Sequence, residues 1–179
     1  MTQPAPSSHL PADATTRSHA RVASWMVGGL FRYDEHLLTL VSFLGMHYPA
    51  RAVARVAGVA PCAWSLETRG ELRPPVDLFR YEVVLRSFAE ARTGVVPVFD
   101  NPSVTADCLE DPYAHELVKR LLKVEFNPTQ RNAVCVASDE LAVALRTRYP
   151  RLPIICHPNL LIACAEKSTT EFYEEMEKK

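Results

Sequence analysis

The stretch from Arg131 to Asn159, RNAVCVASDELAVALRTRYPRLPIICHPN, constrains this chain more than any other. It reads as strand, helix, strand. Asn132 to Ala137 is an apolar, partly β-branched run without alternation, the pattern of a strand buried on both faces. Ser138 follows as N-cap, and Asp139 and Glu140 set negative charge against the positive end of a helix dipole. Leu141, Leu145 and Tyr149 fall on one helical stripe, with Arg146 and Arg148 at the C-terminal end, where cations are favoured. Pro150 stops the helix, and Pro153-Ile154-Ile155-Cys156 resumes as a second buried strand. Two short buried strands joined by a helix make a right-handed crossover, so the sheet here is parallel.

The same grammar recurs upstream. Val22–Val27 reads as a first strand ending at Gly28-Gly29, and Asp34 and Glu35 open a helix through about Met46 with Leu37, Leu38, Val41 and Leu44 on its core face. Val53–Ala60 is a second strand in which Gly58 marks a bulge or a close approach. A polar loop from Pro61 to Pro75 leads to a helix capped by Asp77, with Phe79, Val83 and Phe88 on its apolar side and Gly94 as the residue past its end. Val95–Phe99 is the third strand, and Pro97 within it, lacking a ladder donor, points to an edge position or a bulge. Asp100-Asn101-Pro102 turns the chain. Thr105 or Asp111 caps the next helix, which carries Tyr113, Leu117, Leu121 and Leu122 and the i,i+4 pair Glu116 and Arg120. After the opening unit, Leu160–Ala165 is a further apolar run, and Thr169 or Thr170 caps a last acidic helix.

Strand starts at 22, 53, 95, 132 and 153 therefore space out as strand-plus-helix units. About five parallel strands with flanking helices are expected, as an open doubly wound, flavodoxin-like sheet, since an eight-unit barrel takes about 200–250 residues. The first 17 residues, rich in Pro, Ser, Thr and Ala, read as a disordered tail, and 18–179 as one α/β domain.

Net charge of −1, with Lys and Arg spread along the chain, gives no electrostatic reason to expect nucleic acid or an anionic membrane surface. No apolar run approaches the ~20 residues that span a bilayer. The five cysteines form no C-x-x-C pair, which fits a reducing compartment, and with no basic-then-apolar leader a cytoplasmic location is expected. No histidine spacing matches a metal motif, no cofactor signature is present, and no complete nucleophile or acid–base set is visible.

In α/β folds ligands bind beyond the carboxyl ends of parallel strands. Those loops carry Gly28-Gly29, Cys62 and Trp64, Asp100-Asn101, Ser138, and His157-Pro158-Asn159. Asp100 and Asn101 are the leading candidates, because a carboxylate at a strand end can take a proton or fix a ligand hydroxyl. The same residues also make an ordinary turn. His157 is a ligand, base or structural histidine; Cys62 a nucleophile or a structural thiol; Trp64 a stacking surface. Gly28-Gly29 lacks a phosphate-loop pattern and is followed by acidic residues, so a turn is the reading there.

Several of these pieces together resemble a family of α/β-barrel proteins distantly related to the collagenase-like peptidase superfamily. The stretches are Gly29-Leu30-Phe31, Gly58 to Trp64, Phe99 to Thr105, Leu109 to Tyr113, Asn132 to Leu141 and Tyr149 to Ile155. Two departures stand out: Ser65-Leu66-Glu67 follows Trp64 where the family has a glycine pair, and the family's second, cysteine-containing half has no counterpart here. The resemblance implies the N-terminal half of a (β/α)8 barrel, with no iron–sulfur or peptidase activity carried over.

Two functional classes follow. One is a small-ligand-binding or degenerate member of such a barrel family. The other is an enzyme, or an enzyme half needing a partner, acting on a small polar or glycan-like substrate through Asp100, Asn101 and His157. A half barrel leaves open sheet edges, so self-association or a second polypeptide completing the barrel is expected.

Overall fold

Each of the five apolar runs becomes a strand in the computed structural model, which describes residues 23–48, 51–66, 75–124, 132–158 and Met176. The strands are β1 (Ala23–Gly28), β2 (Arg51–Val59), β3 (Gly94–Phe99), β4 (Val134–Val136) and β5 (Ile154–Cys156). Between them run α1 (Asp34–His47), α2 (Leu78–Glu90), the short α3 (Ala106–Leu109), α4 (Pro112–Lys123) and α5 (Asp139–Arg148). The tail, Asn159, the Leu160–Ala165 run and the capping threonines of the last helix lie outside the described residues.

All four pairings are parallel, and the strand order is β1-β2-β3-β4-β5. Sequential order with right-handed connections puts every crossover on the same side of the sheet. This is how one half of a barrel is wound. The doubly wound alternative would reorder its strands, as in 2-1-3-4-5, and put helices on both faces. The core reflects the one-sided arrangement. Its large cluster joins Val56, Val95, Phe99, Val134 and Val136 to helical residues such as Leu37, Leu85, Leu117 and Leu145. A second, smaller cluster on the opposite face contains Val96, Ala133 and Cys135 with Ala57, Val98 and Ile155, and no helical residue.

Pro97 sits in the central strand, not at an edge, and its pairing with Gly58 of β2 runs through without a register shift. The cost falls on the other side. The ladder of β3 with β4 holds Val98 with Cys135 and Phe99 with Val136, and below the missing donor one backbone bond continues it, from the Ala133 N–H to the Val95 carbonyl at 3.1 Å. Below it, the Val95 N–H finds a side chain instead, donating to Asn132 Oδ1 at 2.9 Å, while Asn132 Nδ2 reaches the carbonyls of Leu121 and Val124. Among the described residues, the register of the sheet shifts between Trp25 and Met26 of β1.

Gly58 is a close approach, as its position suggested: a Cβ there would lie 2.2 Å from the Leu30 carbonyl oxygen. The turn that crosses over it is tight, with Gly29 at φ +109° and Phe31 at φ +68°.

Helix α2 is phased differently from the sequence expectation. Tyr81, Leu85 and Phe88 form its buried stripe, whereas Phe79 is 75% exposed and Val83 47%. Asp77 caps the helix through the Arg80 N–H. Its end is closed by Arg92 in the left-handed region at φ +57°, so Gly94 opens β3 instead of terminating the helix. Tyr149 follows α5 as its C-cap, and β5 is half-buried, less enclosed than its apolar sequence implied. No described helix is long and apolar enough to cross a membrane.

Candidate functional site at the carboxyl rim of the sheet

The register fixes which residues share the rim. Phe99, Val136 and Cys156 are aligned across β3, β4 and β5. The next residue on each strand is Asp100, Ala137 and His157. The ladder continues into them, because the Ala137 N–H donates to the Phe99 carbonyl at 3.0 Å and the His157 N–H to the Val136 carbonyl at 2.8 Å. Phe99 and Val136 belong to the helix-covered cluster. Asp100 and His157 each follow directly on the last residue of a strand, β3 and β5, at the same carboxyl rim. Their backbones are two strand spacings apart, about 10 Å.

Asp100 and Asn101 also hold the preceding loop. Asp100 Oδ1 accepts the Leu66 N–H at 2.8 Å, and the Asn101 N–H donates to the Trp64 carbonyl at 3.2 Å. Asn101 Oδ1 accepts from the Ser103 N–H at 3.0 Å, the expected Asx turn. Its Nδ2 is different: fully buried, it has no hydrogen-bond partner among the described residues. Unmet buried donors are rare, so this atom marks the rim in a way that ordinary turn geometry does not explain.

The other candidates are taken up by packing. Trp64 is fully buried, its Nε1–H donating to the Cys108 carbonyl at 2.6 Å and its ring edge-on to Phe99 and His115 at 5.1 and 5.0 Å between centroids. It offers no stacking surface to a ligand in this arrangement. Cys62 is buried beside it, and burial pushes the thiol up to about 12. A thiol protonated throughout the physiological range is a poor nucleophile. Ser65, next in the loop, donates from Oγ to the Ala60 carbonyl at 2.6 Å. Ser138 is the N-cap of α5, its Oγ accepting from the Leu141 N–H at 3.2 Å and donating to Glu140 Oε2 at 2.8 Å. Asn159 lies outside the described residues.

Sequence reading missed two buried polar groups. Tyr81 is fully enclosed, and its hydroxyl has no hydrogen-bond partner among the described residues. His115, in the first turn of α4, is buried between Trp64, Arg148 and Tyr149. A signal was present for it: His115, Val118 and Leu122 repeat at helical spacing beside the apolar stripe.

Among the described residues, a groove of about 180 Å³ lies between α1 and α2, and another of the same volume is lined by α5, β5 up to Cys156 and Met176. Among the described residues, no group of three or more His, Cys, Asp or Glu side chains could hold a metal ion. Comparison of the chain with protein-family models, curated proteins and solved structures returned no match.

Proposed function

We propose that the carboxyl rim of this sheet binds a small polyhydroxylated ligand, a monosaccharide or similar polyol, through Asp100, Asn101 and His157. The observation that carries the reading is the Asn101 Nδ2, unpartnered among the described residues beside an Asp carboxylate; the side chain is fully enclosed, so it meets a ligand by turning outward at the rim. Leaving such a donor unmet costs about 1–3 kcal/mol, which a docking acceptor oxygen offsets. Asp100 retains a second carboxylate oxygen to accept from a hydroxyl, and an imidazole either donates or accepts. Donor and acceptor at adjacent residues are the complement of neighbouring hydroxyls. The rim is also the end of the sheet at which α/β barrels bind their ligands. Binding, not turnover, is the assigned role, because Cys62 is held protonated and Ser65 and Ser138 are committed to local hydrogen bonds.

The test is a titration of the full chain with D-ribose, D-glucose and N-acetylglucosamine, followed in amide proton–nitrogen spectra. Signals of Asp100, His157 and the Asn101 side chain should move together with at least one of these sugars. Asp100→Asn keeps an acceptor for the Leu66 N–H and should leave stability nearly unchanged. It should weaken binding about tenfold or more, the loss of one charged hydrogen bond at roughly 1.5–3 kcal/mol. Silent spectra with all three sugars, or an affinity indifferent to Asp100→Asn, would remove the proposal.

A further inference from the structure

His115 is the one buried imidazole among the described residues, and its partners dictate its protonation state. Arg148 Nη1 lies 3.0 Å from His115 Nε2. A guanidinium has only donors, so Nε2 must present its lone pair. The proton of the neutral ring is then on Nδ1, which faces the Tyr149 hydroxyl at 3.1 Å. The ring packs edge-on against Trp64, whose carbonyl accepts from the Asn101 N–H. A continuous set of contacts thus links the end of α5, through His115 and Trp64, to the rim.

We propose that His115 is a pH-responsive positioning residue: its protonation sets a second cation against Arg148, breaks that contact and loosens Trp64 beneath the Asp100-Asn101 rim.

The charges around the ring favour the neutral form. From α5 the facing groups are Arg148 and Tyr149; from the segment before α4 it is Glu110, which is engaged by Arg148 Nη1 at 3.0 Å; from its own helix it is Lys119, itself paired with Glu116 at 3.7 Å. Burial first, then the Arg148 charge, hold His115 below the usual histidine range; the Leu109 backbone and Glu110 oppose this. The sign follows. The neutral ring contributes stability above the unfolded value of about 6.5, and this is lost as pH falls through the lower folded value. The inference deepens the rim reading by naming its regulation, while the packing change itself needs no ligand.

The test uses the full chain carrying Trp25→Phe, so that Trp64 supplies the only indole signal. Its indole N–H resonance and its hydrogen-exchange rate are followed between about pH 8 and pH 5, within which histidine titrates. Far-UV circular dichroism must stay constant over the range analysed. The expected result is a single transition with midpoint below about 6.5, accompanied by faster indole exchange as the bond to the Cys108 carbonyl loosens. His115→Gln, which keeps an acceptor for Arg148 but does not titrate, should abolish it. Arg148→Met should move the midpoint upward, and serves if the glutamine variant fails to fold. A flat profile, a transition surviving in His115→Gln, or a resonance shift with unchanged exchange would overturn the proposal. Because no sugar is present, failure here is distinguishable from failure of the rim to bind.

Discussion

Single residues decide where this sheet can be dense. Gly58 and Pro97 face each other across β2 and β3, and each removes something a strand ordinarily has. Gly58 lacks the side chain that would collide with Leu30, and Pro97 lacks the donor that would extend pairing to β4. Gly58→Ala should destabilise by about 3 kcal/mol, the upper part of the range for overpacking, because the obstructing atom is backbone and cannot rotate aside. A urea unfolding midpoint measures this; an unchanged midpoint would mean that the turn over Gly58 yields freely. The two asparagines show what sequence does and does not disclose at this scale. Asn132 has acceptor and donor both engaged, whereas Asn101 leaves its Nδ2 unmet. Both look alike as Asn at a strand boundary, and only the placement of neighbouring carbonyls separates them.

At the scale of elements, strands were readable because apolar runs of one strand's length sit between helix-length segments. Caps were readable because Asp77, Asp111 and Ser138 each accept from the first turn, as their residue types suggest. Helix phase was harder. In α2 the apolar residues Phe79 and Val83 compete with Tyr81 and Leu85 for the buried stripe, and packing against the sheet chooses between them. The edge-strand reading of Pro97 failed because β3 lies between β2 and β4, with the bonds on either side of the missing donor kept by the Val95 N–H to Asn132 Oδ1 and the Ala137 N–H to the Phe99 carbonyl. Among the described residues, the edges are β1 and β5. In α1, Asp34, Glu35 and Leu38 line the groove against α2, and Leu37 and Val41 are buried. At about 100° per residue, the flank away from α2 then carries His36, Leu40, Phe43 and His47. Leu40 and Phe43 are exposed there, as are Trp25 and Met26 on β1. We expect the chain to self-associate through this flank and Phe43→Glu to give a monomer with unchanged circular dichroism. Light scattering at micromolar concentration checks it; a monomeric wild-type chain, or a Phe43→Glu variant that still associates, would contradict it.

For the whole molecule, winding in one direction is the consequential feature. It puts helices on one face, with Asp100 and His157 just past the carboxyl ends of β3 and β5. Five parallel strands were legible in the sequence, but their spatial order was not, since an unbroken run of strand–helix units fits both a sequential and a reordered sheet. The rim as a whole was legible for the same reason that barrels are: polar residues follow apolar strands. Which of them pack inward was not: Trp64, for one, is buried by contacts with Phe99, Cys108 and His115, made far along the chain. Asp100 and His157, two strands apart, are proposed to serve one ligand. The measurement that tests it most directly is a double-mutant cycle in sugar affinity, using the wild-type chain, Asp100→Asn, His157→Gln and the double variant. Residues acting on one ligand should couple, with the double variant's loss departing from the sum of the single losses by about 0.5–3 kcal/mol. Strictly additive losses, or a His157→Gln variant that binds as the wild type does, would contradict it.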